Sequence, residues 1–448
     1  MDAFKLNRAS RVIAAGVLGA STFGAGPAMG QESRADSLEV RVRRLEAVVD
    51  SLVRVLSARA EAAGPEPAAL EPADELAALR AAAARAADEA APAVADQVEP
   101  ATSRTGNLSL LNPEISVTGD IVGGLLSPGE GGTRSTALPR EFELSFQAAL
   151  DPYAGTKIFL SKEEELPIAG LEEVLEANAG PGGEEAPGGD IELEEGYLYW
   201  VGLPGSLGLK AGKFRQELGL YNRWHTHALL EIERPLATAA FFGDDGLIQS
   251  GVSLSLPHLQ TGSGTHTVTL EATRADNKLF DGGTNLSYLG RLQSFLDLSP
   301  STYVQVGVNG VTGRNDDVDL DAQALGVDVA LRWAPPSRSR YRELTVRGEW
   351  YWARRDIGPE RESGNGGYAQ ASYRWDQRWI TGFRADILDG FGDAPTAFQL
   401  VPSISWWQSE WVRLRLQYNF LKRAGLDPDH TFLFQTVWAI GPHKHETY

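Results

Sequence analysis

The strongest constraint on the fold is an alternation of apolar and polar residues with a period of two. In residues 324–333, ALGVDVALRW, every second side chain is large and apolar, and those between are small or charged. The same period recurs in residues 344–351 and 412–419. Because successive side chains of a strand point to opposite faces, this pattern predicts half-buried strands. A soluble β-sandwich and a β-barrel would both show it.

The lengths of the connections distinguish these two folds. We predict sixteen strands, near 114–126, 140–150, 155–162, 192–202, 207–214, 247–256, 266–275, 287–298, 302–312, 322–333, 343–354, 367–376, 378–387, 397–407, 411–421 and 430–440. Connections after even-numbered strands are mostly short. The long ones follow odd-numbered strands, at about 163–190, 215–246, 276–286, 355–366 and 388–396. An even strand count with long loops on one side predicts an all-β transmembrane antiparallel barrel over residues 108–448.

Aromatic residues support this prediction. Many lie close to the short connections: Tyr199, Trp200, Trp333, Trp375, Trp379, Trp406, Trp407, Trp411 and Trp438. Amphipathic rings gather at the interface between a membrane and water, so we expect a girdle at the short-turn end of the barrel.

The N-terminal part divides into three segments. Residues 1–30 have the basic start, short apolar core and small residues of a signal peptide. Residues 31–60 carry apolar residues spaced alternately four and three apart, which predicts a short periplasmic coiled coil rather than a single helix packed on a domain. Residues 61–107 are rich in Ala, Pro and Glu and are expected to form a spacer.

With these segments in order, the chain resembles the phosphate-selective porin O/P-like outer-membrane porins of Gram-negative bacteria. The matching stretches are LNPEISVTGD (111–120), LKAGKFRQELG (209–219) and FQTVWAIGPHKHETY (434–448). The resemblance implies a homotrimeric sixteen-stranded channel in outer-membrane lipid, with its N-terminal region in the periplasm, that passes small hydrophilic anions such as phosphate. The lysine cluster of phosphate-selective members has no counterpart here, so the resemblance supports a porin better than a phosphate channel.

The polar faces of the strands give the expected pore lining. Its basic members are Lys210, Arg332, Arg347, Arg374, Arg384, Arg413 and Arg415. Its acidic members are Asp120, Glu141, Glu143, Glu271, Asp328, Glu349 and Asp386. A basic strip facing an acidic one would set a field across the pore. The alternative is that these charges pair across strands for stability.

The loop at 215–246 contains the segment YNRWHTHALLEIERPL. We predict that it is a pore constriction loop whose functional residues are Arg215, Arg223, His225, His227, Glu231, Glu233 and Arg234. A zinc site is the alternative, because two histidines with carboxylates provide enough ligands. The constriction loop is favoured, and no metal or cofactor is predicted.

These observations favour a porin that passes small hydrophilic solutes by passive diffusion. The alternative is a structural tether that links the barrel to the cell wall or a periplasmic partner through the coiled coil. An enzyme is not expected, because none of the histidines lies in a nucleophile motif such as GxSxG. An energised receptor would need a plug domain and more strands. The net charge of −19 makes nucleic acid an improbable partner.

Overall fold

The computed structural model describes residues 113–179, 191–262, 264–280, 285–314, 321–357 and 360–441. The predicted signal peptide, coiled coil and spacer lie outside the described residues and stay predictions. The described residues therefore all belong to the region predicted to form the barrel.

Sixteen antiparallel strands form one closed barrel, in which each strand pairs with its neighbours in sequence and β1 pairs with β16. The strands are β1 Glu114–Ser127, β2 Arg134–Ala149, β3 Ala154–Glu163, β4 Glu192–Leu203, β5 Leu207–Arg215, β6 Ile248–Thr261, β7 Gly264–Arg274, β8 Leu286–Ser299, β9 Thr302–Arg314, β10 Asp321–Trp333, β11 Glu343–Ile357, β12 Glu360–Arg374, β13 Trp379–Asp389, β14 Ala397–Trp407, β15 Val412–Arg423 and β16 Asp429–Ile440. The predicted strand count and topology are confirmed.

Several predicted boundaries were wrong. Strand β6 runs to Thr261 rather than to about residue 256. Strand β2 begins at Arg134 rather than near residue 140. The long loop predicted at 355–366 is instead the end of a hairpin, since β11 continues to Ile357 and β12 begins at Glu360. Arg355 pairs with Glu362 at 3.0 Å across the two strands. Opposite charges facing each other stabilise such pairing.

The connections define two ends of the barrel. At the short-turn end, a 3₁₀ turn at Pro204–Ser206 joins β4 to β5. The long-loop end carries helix α1, Leu171–Ala177, and helix α2, Leu236–Phe242, with 3₁₀ turns at Thr226–Ala228 and Lys278–Phe280. Within the described residues, no helix has the length and apolar character needed to cross a membrane.

The outer surface of the barrel is apolar. Large side chains that alternate with buried ones point outward, and Leu270, Leu416 and Phe432 are each 57% exposed. A closed barrel with such a surface suits a hydrocarbon environment. Trp375, for example, is exposed at the short-turn end.

The predicted girdle needs a correction, because two of its members face the lumen. Trp407 lies under the inward-facing Arg413, whose guanidinium carbon is 5.6 Å from the ring centroid. Tyr199 is paired with the inward-facing Lys210. Both residues lie near the ends of their strands. There, a shift of one residue in the assumed register moves a side chain from one face of the barrel to the other.

Candidate functional site

The lumen contains the segment between β5 and β6, residues 216–247, called the insert below. It leaves the wall at Arg215 and returns at Ile248, and these two residues are paired with each other. Asn222 holds its base, because the amide donates to the carbonyls of Gln216 at 2.8 Å and Leu247 at 2.9 Å. The insert is thus an inward excursion from one hairpin.

At the long-loop end the insert fills the barrel with apolar side chains. Helix α2 is buried along its whole length. It belongs to one core cluster with inward-facing residues of the wall and with Val174 of α1; wall and loop members include Leu289, Val311, Ala322, Ala324, Ala353, Leu388, Phe391, Ala397 and Leu421. The described conformation therefore has a packed core where an open channel would need water.

Below this core the insert is held by a buried arginine. Arg384 of β13 is fully buried. Its guanidinium donates to Asp386 of the same strand at 2.9 Å and to the Glu233 carboxylate of the insert at 3.0 Å. It also lies 3.4 Å from the carboxylate of Glu231. We call these four residues the arginine cluster. Its fixed cation is surrounded by carboxylates, which is the arrangement a buried charge requires.

Three further arginines donate to backbone carbonyls of the insert. Arg413 reaches the carbonyl of His227 at 2.6 Å, and Arg415 reaches that of Leu229 at 2.9 Å. Arg140 of β2 reaches the carbonyl of Thr226 at 3.0 Å. The insert has little regular secondary structure, so its carbonyls need donors from the wall.

On the β11 side, a buried carboxylate fixes the first turn of the insert. Glu349 accepts the backbone N–H groups of Leu220 at 2.8 Å and Tyr221 at 2.9 Å. The preceding Gly219 has a φ of +61°, and a Cβ there would collide with Tyr351 and Glu349. Glycine is therefore required for this close approach.

The remaining wall, from β2 to β4, presents carboxylates to the two histidines of the insert. We call His225, His227, Glu141, Glu143, Glu163, Glu194 and Glu195 the histidine cluster. Two register shifts create it: one leaves Arg140 unpaired between Pro139 and Glu141, and the other leaves Glu194 unpaired between Leu193 and Glu195. A β-bulge re-aims side chains, so consecutive residues face inward at both places.

The contacts in the histidine cluster are close. The Nδ1 atom of His225 lies 2.8 Å from Glu143 Oε2 and 3.0 Å from Glu194 Oε2. Its Nε2 atom lies 3.0 Å from Glu195 Oε2. The Nδ1 atom of His227 lies 2.8 Å from Glu141 Oε1.

These carboxylates change the titration of both imidazoles. Burial alone lowers the pKa of His225, but the nearby carboxylates of Glu194 and Glu143 outweigh it and raise the pKa well above its ordinary value. Burial likewise lowers the pKa of His227, and Glu141 and Glu143 reverse the effect and raise it. Without another cation, both rings therefore favour the protonated form.

The predicted constriction residues all lie at the insert or its base. His225, His227, Glu231, Glu233 and Arg234 are buried. Arg215 donates to Glu194, and Arg223 to Glu217 at 3.1 Å. They brace the insert against the wall and against itself, and in this conformation the buried ones do not border open water.

The predicted pore lining divides into two groups. Lys210, Arg332, Arg347 and Arg374 are half-buried, whereas Arg384, Arg413 and Arg415 are buried against the insert. All seven acidic candidates are buried as well. Arg140, Glu163, Glu194 and Glu195 also face inward but were not predicted to do so. Arg140 and Glu194 lie at bulges, which alternation cannot locate.

Comparison with known proteins agrees on the fold. The high-pH structure of OprB from Pseudomonas putida matches 74% of this chain and 95% of its own, with a TM-score of 0.52 and 10% identity. The anion-selective porin from Comamonas acidovorans matches 73% of this chain and all of its own, with a TM-score of 0.48 and 11% identity. At 10% identity, the likeness to OprB bears on the barrel fold alone.

Comparison of sequences does not assign the chain to a family. No family model matches the chain. An uncharacterized protein of Aquifex aeolicus (strain VF5) is 24% identical over 303 residues, which is 56% of this chain and 62% of that protein. The match thus spans less than two thirds of the relative's length. Membership of the phosphate-selective porin family stays a prediction.

Proposed function

We propose that this protein is an outer-membrane porin-type channel for small hydrophilic solutes, in a closed state. The main support is the insert itself: a segment that leaves and returns at one hairpin occupies the lumen of a closed barrel whose outer surface is apolar. Because the insert leaves and returns at one hairpin, it can move without breaking any pairing between strands. Removing it from the lumen would leave a sixteen-stranded barrel wide enough for water.

The proposed channel prefers anions. Among the charged residues predicted for the lumen, all the acidic ones are buried, and those still half-exposed are the basic Lys210, Arg332, Arg347 and Arg374. Basic groups along a pore attract anions and repel cations. Phosphate is one candidate, and arginine binds it in bidentate fashion.

Conductance in planar bilayers tests the channel. We expect few and short openings from the full chain. A variant in which a short Gly-Ser linker replaces residues 223–244 keeps the base held by Asn222 and should conduct continuously. A reversal potential measured in a KCl gradient during openings of the full chain should show anion preference, because the shortened variant uncovers the acidic wall residues that the insert buries. Folded protein that conducts in neither form would reject the channel and favour the structural tether, while cation preference would reject only the anion proposal.

Movement of the insert can be measured separately. The chain has no cysteine, so Ala240→Cys places one thiol in the buried core around α2. Maleimide labelling at this site should be slow and should follow channel opening. Ser409→Cys, in an exposed short turn, is the control. Equal labelling rates would show that the insert does not occlude the barrel.

The homotrimer implied by the resemblance is also a proposal. The described chain has an apolar outer surface that lipid or a second copy could cover. Light scattering of the detergent-solubilised protein, corrected for bound detergent, should give three chains per particle. A single chain per particle would exclude the trimer.

A further inference from the structure

The histidine cluster contains a buried carboxylate, Glu143, that has no hydrogen-bond partner among the described residues, although it lies close to His225. Its Oε2 atom lies 2.8 Å from His225 Nδ1, but the angles do not allow a hydrogen bond. The hydrogen bond of Nδ1 is instead made with Glu194 Oε2, at 3.0 Å. One ring nitrogen thus faces two carboxylate oxygens, and one N–H can serve only one of them.

The groups around this point are already oriented. Glu195 takes the other ring nitrogen of His225 at 3.0 Å and also accepts the backbone N–H of Arg215. The second oxygen of Glu194 is held by the Arg215 guanidinium. A carboxylate that binds the far nitrogen of a histidine fixes its tautomer and directs the near nitrogen, which is the support that metal-binding histidines receive.

The charge of the cluster is incomplete. Five carboxylates are present: Glu141, Glu143, Glu163, Glu194 and Glu195. Among the described residues, the permanent cation Arg215 contacts them through Glu194. Buried carboxylates at this density need cations close by, either protons on the imidazoles or a metal ion in their place.

The spacing suits a small divalent ion. Ligand atoms of Glu143, Glu194 and His225 lie within 4.8 Å of one another, as do those of Glu141, Glu143 and His227. Bonds of about 2.0–2.1 Å place neighbouring ligands of a tetrahedral Zn²⁺ roughly 3.3 Å apart. The observed contacts are 2.8–3.0 Å, so the ligands would separate by a few tenths of an ångström. Imidazole nitrogen favours Zn²⁺ and similar transition metals over Ca²⁺ or Mg²⁺.

From this geometry we infer a binding site for a divalent transition-metal ion of the Zn²⁺ class, formed by His225, Glu143 and Glu194. Glu141, whose Oε2 atom is buried without a hydrogen-bond partner among the described residues, is placed to complete the shell. The ion would connect the insert to strands β2 and β4. This inference does not rest on the proposed channel, because metal binding is measured without any conductance.

The test uses the full chain in detergent, stripped with EDTA and then exchanged into ZnCl₂. We expect His225→Ala and Glu143→Gln each to bind one fewer zinc ion per chain than the wild type, as counted by elemental analysis after desalting. His266→Ala is the matched control, since His266 lies on β7 and contacts Thr261 and Ser294. It should bind as the wild type does. Zinc held elsewhere on the chain is common to all variants and cancels in the difference.

Two further measurements separate ligation from folding. Glu195→Gln should weaken zinc affinity about 10- to 100-fold without abolishing it, because Glu195 only orients His225. X-ray absorption should show nitrogen and oxygen ligands. Heating in detergent should give a zinc-dependent rise in unfolding temperature for the wild type and His266→Ala, and none for Glu143→Gln. Zinc content and unfolding temperature that are the same in Glu143→Gln, His225→Ala and the wild type would overturn the site.

Discussion

Two clusters fix the insert to the wall, and they compensate buried charge in different ways. In the arginine cluster, a permanent cation on β13 meets carboxylates carried partly by the insert. In the histidine cluster, the carboxylates belong to the wall and the insert carries imidazoles, whose charge depends on protons. The first contains a cation that the chain itself supplies and whose charge does not change with pH. The second depends on what the solution provides.

The largest effect should come from removing the permanent cation. Arg384→Gln leaves Glu231, Glu233 and Asp386 buried without their shared partner. Breaking a buried ion pair on one side costs about 3–5 kcal/mol. Urea titration in detergent should show this loss of unfolding free energy, and Ala240→Cys should label rapidly in this background. Arg361→Gln, which breaks the exposed pair with Asp356, is the control and should change neither. Unchanged stability of Arg384→Gln would remove the contrast between the clusters.

The corresponding change in the histidine cluster should have the opposite sign or no effect. Glu143→Gln removes one of several crowded carboxylates, and in metal-free protein its charge has no hydrogen-bond partner among the described residues. Because an unsatisfied buried carboxylate is itself costly, we expect equal or higher resistance to urea in EDTA. A loss as large as that of Arg384→Gln would mean that Glu143 is an essential ion-pair partner, and that the two clusters are equivalent.

A smaller effect is expected towards alkaline pH, and it should come from the histidine cluster. The groups that face the two imidazoles are Glu141, Glu143, Glu163, Glu194, Glu195 and Arg215. The folded-state pKa of His225 is raised above its unfolded value, so its stabilisation is complete below about pH 6.5 and is lost as pH rises through the folded pKa.

Labelling of Ala240→Cys measures this pH effect. In metal-free protein, the rate relative to Ser409→Cys should increase towards alkaline pH, because deprotonated imidazoles no longer hold the insert. Arg384 should contribute no such dependence, since its guanidinium stays charged. A relative rate that is flat with pH would show that the imidazoles do not hold the insert.

The smallest effect should come from a residue that belongs to neither cluster. Arg347 is half-buried, with its guanidinium carbon 5.5 Å from the centroid of the Trp224 ring. Arg347→Gln should move the reversal potential measured during openings of the full chain a few millivolts towards cation preference and leave stability unchanged. A shift as large as the whole anion preference would make Arg347 the principal selectivity residue.

The fold could be predicted from the sequence because strand alternation and connection length are local properties. Residues 324–333 gave both the strand and its inward face correctly. Ala322 and Ala324, however, lie on the face that was assigned to a polar lumen and pack in the apolar core with α2. Small residues are compatible with either environment, and only the position of the insert decides between them.

The candidate site could be predicted only in part. The cluster of His225, His227, Glu231 and Glu233 was visible as a dense run of charge in one loop. Its partners were not, because Glu194 and Arg140 face inward through bulges that depend on how β4 pairs with β3 and β2 with β1. The loop sequence alone could not distinguish a constriction loop from a metal site, because the carboxylates that face the histidines belong to the wall.

The pairing of Arg215 with Ile248 has a consequence for how such a barrel can diversify. The insert is a side branch of the wall, so its length and sequence can vary while the register of all sixteen strands is conserved. Assembly of the barrel and occupation of its lumen are therefore separable, because substitutions within the insert leave the pairing of the wall strands unchanged. A family of such proteins would be expected to share a common wall and to differ mainly in what the wall encloses.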